Sequence, residues 1–229
     1  MGHPLRALTD ESAIALHGLP GVTQDLAEIH LSQVDTGRAR RTQHFRCHPP
    51  VPATTVTRID GLQVVNAPVA VALVARRGSL RTAVMAADAL LRRDHDRAAL
   101  DAALSAYGGR PGTLVMALAT PESESPGESW SRLVFHQIGI EQPRQQVVIS
   151  DAHGNFLARV DFLIDDPPTV IEFDGMSKYE GANGAKALAA ENRREDGLRE
   201  LRYAVVRLTW ADLGTPQRVR DALRRHGAA

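Results

Sequence analysis

The spacing of apolar positions changes character once in the first half of the chain, just before Ala67. Upstream of it, short stretches alternate apolar and polar side chains with the period of two expected of strands. Glu28–Leu31 and Thr42–Cys47 read this way, with Asp35-Thr36-Gly37 as the turn region between them. Thr55–Ile59 and Leu62–Val65 predict a hairpin closed by Asp60-Gly61, a pair that suits a tight turn. A helix over Glu11–Leu19 precedes these strands and is ended by Gly18 and Pro20. From Ala67 the period lengthens to that of a helix, predicting Ala67–Arg76, Leu80–Arg93 and Arg97–Tyr107. Gly108-Gly109-Arg110-Pro111-Gly112 breaks that pattern, and a short helix follows over Thr113–Ala119. The spacing places a domain boundary near Thr120, dividing the chain into 1–119 and 120–229.

The second unit opens with Ser125-Pro126-Gly127-Glu128, leading into an amphipathic helix over Ser129–Ile138. Strands are predicted at Gln145–Ser150, Phe156–Ile164 and Thr169–Asp174, then a helix over Gly184–Leu201 and a strand over Tyr203–Leu208. A last helix begins at Thr215-Pro216, with threonine as N-cap and proline in the first turn. The expected fold class is therefore α/β, a mixed sheet flanked by helices, preceded by a smaller α+β domain.

Three carboxylates give the second unit its candidate chemistry. Asp165-Asp166-Pro167-Pro168 is a turn-forming run between two strands. Closing the hairpin with Ile164 opposite Thr169 sets Asp161 across from Glu172 and Arg159 across from Asp174. Val160, Phe162, Ile171 and Phe173 then share the reverse, apolar face. Like charges directly opposite destabilise a sheet, and two close carboxylates do not both ionise cheaply without a cation. A hard divalent cation such as Mg²⁺, or Mn²⁺ in its place, resolves the conflict. A screened acidic patch, with Arg159 neutralising Asp174, is the alternative reading, and the hairpin alone does not choose between them.

Other residues divide in the same way between chemistry and plain structure. Glu128 either completes a capping box with Ser125 or adds a ligand at the mouth of the acidic face, with Arg132 one turn on to orient it or bind a phosphate. Glu191 and Arg194 share a helical stripe with Leu198 and Leu201, which aims them at the carboxylates; a solvated charged face is the other reading. Lys178 can stabilise charge on a phosphate, or simply pair with Glu180. Gln146 can hydrogen-bond a nucleophilic water or serve the sheet. In His44-Phe45-Arg46-Cys47-His48, alternation puts both histidines on one face with Arg46 between them, and a cation there opposes a metal. The chain contains no Gly-rich phosphate loop and no Ser/His/Asp arrangement.

Composition narrows the class further. The chain has 229 residues, 43% of them hydrophobic and only 4% aromatic, so its cores are built mainly from Ala, Val and Leu. Cys47 is the single cysteine, which excludes a disulfide framework and a cysteine zinc site. No apolar run spans a bilayer and no secretory signal precedes the first helix, so a cytoplasmic location and no membrane partner are expected. Formal net charge is zero, which argues against indiscriminate polyanion binding. Basic residues cluster locally at Arg38, Arg40, Arg41 and Arg46, and again at Arg218, Arg220, Arg224 and Arg225.

Taken together, Pro126-Gly127-Glu128-Ser129, Pro143 to Gln146, Arg159-Val160-Asp161-Phe162, Glu172-Phe173-Asp174-Gly175 with Lys178-Tyr179, and Arg207-Leu208-Thr209-Trp210 resemble the PD-(D/E)XK nuclease superfamily. The likeness is to its branch similar to very-short-patch-repair endonucleases. Ser12-Ala13 to Leu16-His17-Gly18-Leu19-Pro20 is similar to the middle region of the type IV abortive-infection antitoxin family. The first resemblance implies a restriction-endonuclease-like domain that hydrolyses DNA phosphodiesters with Mg²⁺ or Mn²⁺, held by Asp161 and Glu172 with help from Glu128. The second implies an antitoxin-like module that binds DNA or a partner toxin, and a catalytically inactive regulator is the competing expectation. Two departures stand out. The superfamily usually has lysine two residues after the glutamate, where this chain has Asp174, so Lys178 is expected to substitute from the loop. Family members usually begin with a winged helix, and the resemblance here starts beyond it.

Overall fold

The computed structural model of the protein describes residues 5–21, 28–93, 96–175 and 184–228, the side chains of 184–190 excepted. The chain divides into two compact units, Met1–Pro126 and Gly127–Ala229. Each is built on a mixed sheet of parallel and antiparallel strands flanked by helices, so the fold is α/β. Among the described residues no helix is long and apolar enough to cross a membrane.

The first unit runs β1 (Arg6–Leu8), α1 (Asp10–Leu16), β2 (Ile29–Val34), β3 (Arg40–Arg41), β4 (Phe45–Val51), β5 (Val56–Ile59) and β6 (Leu62–Val65). Helices α2 (Ala67–Arg76), α3 (Leu80–Arg92), α4 (Arg97–Tyr107) and α5 (Gly109–Leu118) follow. Its strands form one sheet in the order β3-β4-β2-β1-β6-β5. The β5–β6 hairpin turns on Asp60 and Gly61 at φ 49° and 79°, the pair of positive angles that a two-residue hairpin turn demands. Asn66 starts α2 by accepting the Val69 N–H at 3.0 Å, and Pro68 occupies its first turn, where a missing N–H costs nothing. Val69, Ala70, Val71, Ala72, Val74 and Ala75 are all buried, so α2 is apolar on nearly every side and forms the centre of the helical layer.

Three departures from the sequence expectation have local causes. The Gly108–Gly112 run does end α4, but the next helix does not wait until Thr113, because α5 starts at Gly109 with Pro111 in its first turn. The boundary lies at Pro126 rather than Thr120. Asp88 accepts the Thr120 N–H at 2.8 Å, Arg97 donates to the Ala119 carbonyl at 3.0 Å, and Arg92 donates to the Ser123 carbonyl. Those bonds tie the connecting segment to the first unit, which is the longer of the two rather than the smaller.

The second unit comprises α6 (Pro126–Gln137), β7 (Arg144–Ser150), β8 (Phe156–Ile164), β9 (Thr169–Phe173), α7 (Gly184–Glu200), β10 (Ala204–Leu208), α8 (Trp210–Leu213) and α9 (Pro216–Arg224). The sheet order is β10-β9-β8-β7, with β10 parallel to β9 after the α7 crossover and the other pairs antiparallel. One face buries Phe162, Ile171, Val206 and Leu208 against Val134 and Phe135 of α6 and Val219 and Leu223 of α9. Phe135 meets Phe162 edge to face, centroids 5.3 Å apart. A second cluster joins Val160, Leu163 and Val170 to Leu198 of α7. Apolar packing therefore occupies both faces, and Val160 belongs with α7 rather than with Phe162.

Candidate functional site

The turn at Asp165–Pro168 sets Ile164 against Thr169, then Leu163 against Val170 and Phe162 against Ile171. One step further along the same register, Asp161 stands beside Glu172. Gln145 pairs with Phe162 and Val147 with Val160, which puts Gln146 beside Asp161 on the other side. Arg207 pairs with Glu172 from β10. A single row across four strands thus reads Gln146, Asp161, Glu172, Arg207.

This row lies where β8 and β9 cease to pair. Instead of a β8 carbonyl, the Phe173 N–H meets the Asp161 carboxylate, at 2.8 Å from Oδ2. Asp174 lies beyond the end of β9, and its N–H goes to the Leu208 carbonyl on the other neighbour, at 2.8 Å. The ladder therefore stops short of a register pair between Arg159 and Asp174.

Glu172 is neutralised by its own chain. Arg194 of α7 donates to both carboxylate oxygens, Oε1 at 2.6 Å and Oε2 at 2.8 Å, and also grips Glu191 at 2.6 and 3.0 Å. Such forked pairing is the strongest form of charge-assisted hydrogen bond. Hydrogen bonding from Arg194 holds the Glu191 carboxyl below its ordinary range, and the two carboxylates raise the affinity of Arg194 for its proton. Arg207 closes the network, donating to Glu191 at 2.5 Å and to Glu195 at 2.9 Å. Glu195, which the sequence did not single out, belongs to the network. Arg207 was legible only as part of a motif; its signal is its place as the one charge in the apolar run Ala204–Leu208.

Glu128 is buried on the first turn of α6. Its Oε2 accepts the side-chain amide of Gln146 at 2.7 Å, so the helix carboxylate is joined to the row through an amide. Gln146 holds a left-handed backbone, φ 51°, inside a strand, and this aims its side chain at α6. Arg132, buried one turn along from Glu128, offers its carbonyl to Gln142 at 3.1 Å. Lys178 lies outside the described residues. The aromatic rings of Trp130, Phe173 and Trp210 pack beside this end of the sheet, with Trp210 donating to the Gly175 carbonyl at 2.9 Å.

The structure brings Glu172, Glu191 and Arg194 into one network and Glu128 into contact with Gln146. It does not bring Asp161, Glu172 and Glu128 into a ready ligand set. Among the described residues the one group of three His, Cys, Asp or Glu whose ligand atoms all lie within 4.8 Å of one another is in the first unit: Asp10, His30 and His48. His48 meets His30 there and not His44, because β2 and β4 pair in parallel, a long-range pairing that no local pattern announces. Comparison with family models, with curated proteins and with solved structures finds no match.

Proposed function

We propose that the second unit is a metal-dependent DNA phosphodiesterase whose reaction centre is the open end of its sheet, at Asp161, Glu172, Asp174 and Glu128. The observation that carries this reading is the linkage of a buried helix carboxylate, Glu128, through Gln146 to the row holding Asp161 and Glu172. Buried charge is expensive unless it is used or paired, and this row collects it at a place where two strands part and backbone pairing is given up. The motif resemblance of the same residues points to the same chemistry. The donor set is all oxygen, which suits Mg²⁺ or Mn²⁺; such an ion neutralises developing charge and lowers the pKa of a bound water. The spacing fits less well than the chemistry, since Arg194 occupies both oxygens of Glu172.

That same lock favours a second reading, a non-catalytic regulator that keeps the fold and binds DNA or a partner toxin. In it, Arg194 is the permanent counter-ion of Glu172. Supercoiled plasmid incubated with the purified protein, with and without Mg²⁺ or Mn²⁺, separates the two. Nicking that requires the metal and disappears in Asp161→Ala supports the phosphodiesterase. DNA binding without cleavage, unaltered by the same substitution, rejects it in favour of the regulator.

A further inference from the structure

In the first unit, two imidazoles, a buried carboxylate and a guanidinium converge on one point. In the parallel β2–β4 pair, His30 stands opposite Arg46 and Ser32 opposite His48, so both histidines project from one face. Their rings stack with centroids 5.1 Å apart. Asp10 comes from the first residue of α1, 1% exposed and held at φ 52°. That backbone conformation is costly for a residue with a side chain and persists where its surroundings impose it.

Arg77 fills the centre. Its Nη1 lies 2.8 Å from His30 Nδ1, 2.6 Å from His48 Nε2 and 3.3 Å from Asp10 Oδ1. A guanidinium only donates, so in these contacts both ring nitrogens accept, the neutral tautomers whose lone pairs are aimed at a common point; Glu11 Oε2 stands 3.2 Å from His30 Nδ1 at the edge of the same cluster. This is an unusual seat for arginine, whose planar fork is matched by two oxygens of one carboxylate. Here one nitrogen serves three acceptors, and Asp10 Oδ2 is left buried with no hydrogen-bond partner. The three acceptors surround a point, as they would a small ion. The spacing agrees: His30 Nδ1 and His48 Nε2 are 3.1 Å apart, and His48 Nε2 and Asp10 Oδ2 are 3.6 Å apart. A tetrahedral zinc site with bonds of about 2.1 Å has ligand atoms about 3.4 Å apart.

We propose that Asp10, His30 and His48 bind a divalent transition metal, Zn²⁺ foremost, at the place of Arg77 Nη1, with the guanidinium turning outward on Glu11. Glu11 Oε2 already holds Arg77 Nη2 at 3.1 Å, and the two side chains, 22% and 21% exposed, line the mouth of the site. Two neutral imidazoles and one carboxylate select borderline metals over Mg²⁺ and Ca²⁺. The fourth position stays open to water. The bound ion would staple the start of α1 to two strands of the sheet.

The test uses the full chain, stripped with EDTA and dialysed, then titrated with Co²⁺ alone and afterwards with Zn²⁺. Asp161→Ala is the background, so that uptake at the second unit is excluded. One equivalent of Co²⁺ should give the visible absorption of a four-coordinate ion, and Zn²⁺ should displace it. Asp10→Asn and His48→Ala should each weaken binding by at least about tenfold. Arg77→Met should tighten binding, because it removes the competing cation. Circular dichroism checks that each variant folds; if His48→Ala does not, Asp10→Asn and Arg77→Met still decide. Absence of the absorption in both the parent and Arg77→Met overturns the proposal, and so does uptake indifferent to Asp10→Asn.

Discussion

Arg194 holds Glu172 by both oxygens, at 2.6 and 2.8 Å, across the gap between α7 and β9. The two side chains are only 21% and 17% exposed, so the pair is screened less than a surface ion pair. Removing one partner strands a half-buried charge, which is the costly way to break such a pair. Arg194→Met should therefore destabilise the protein by about 1–3 kcal/mol, less than the figure for a fully buried pair. Arg194→Met with Glu172→Gln should cost less than the sum of the two changes, measured by urea unfolding in a double-mutant cycle. Strict additivity would mean that the fork contributes nothing.

Gly127 and Phe173 are bound by a simpler constraint. A Cβ at Gly127 would overlap the Phe173 ring, which is itself fixed edge to face on Trp210, centroids 4.7 Å apart. The ring has nowhere cheap to go, so α6 must shift, and Glu128 shifts with it. Gly127→Ala should cost about 1–3 kcal/mol, the usual range for overpacking, and should lower any metal-dependent nicking as well. Unchanged thermal stability would show that the ring yields freely.

Much of the fold was readable because its signals are local. Ala67–Arg76, Arg97–Tyr107 and Phe156–Ile164 have the bounds that periodicity predicts. The hairpin register followed from two prolines and two aspartates in the turn. The rest depends on distant partners. β1 is three residues long and exists only because β2 and β6 flank it. Asp10, His30, His48 and Arg77 are scattered along the chain, so the first unit's cluster has no signature in any window of sequence. At the candidate site the row of polar residues was legible, and the helical stripe already aimed Arg194 at it. Sequence offered a counter-ion only for Asp174, in Arg159; that Arg194 forks onto Glu172 and that Arg207 joins it follows from the face of α7 and the parallel placing of β10, which no local pattern announces.

Gln146 carries two effects that substitution can separate. Its left-handed backbone, φ 51°, costs a residue with a Cβ about 1–2 kcal/mol. Its amide, meanwhile, satisfies Glu128. Gln146→Gly and Gln146→Ala both lose the amide, but glycine alone relieves the backbone, at an entropic cost of about 0.5–1 kcal/mol. Gln146→Gly should therefore be the more stable of the two by about 0.5–1 kcal/mol. Equal melting temperatures would show that no strain is held there.

Acid should act on the first unit before it acts on the second. Burial, reinforced by Arg77 and by the nearby His30 and Arg46, pushes His48 down to about 4 from an ordinary 6.5, while Glu11 pulls weakly the other way. Burial lowers His30 too. The folded imidazole stays neutral at pH values where the unfolded one takes a proton. Stability from this group is therefore complete above 6.5 and is lost as pH falls toward about 4. Asp10 works in the opposite direction: burial raises it above 3.8, so its contribution is complete below 3.8 and fades as pH rises. Unfolding by urea at pH 7 and pH 5 should show a loss on the order of 1–2 kcal/mol in the parent, since each tenfold difference in proton affinity between the folded and unfolded chain is worth about 1.4 kcal/mol. His48→Gln, which cannot titrate, should flatten that slope, and Asp10→Asn should steepen it. A His48→Gln profile parallel to the parent's would place the acid sensitivity outside this cluster.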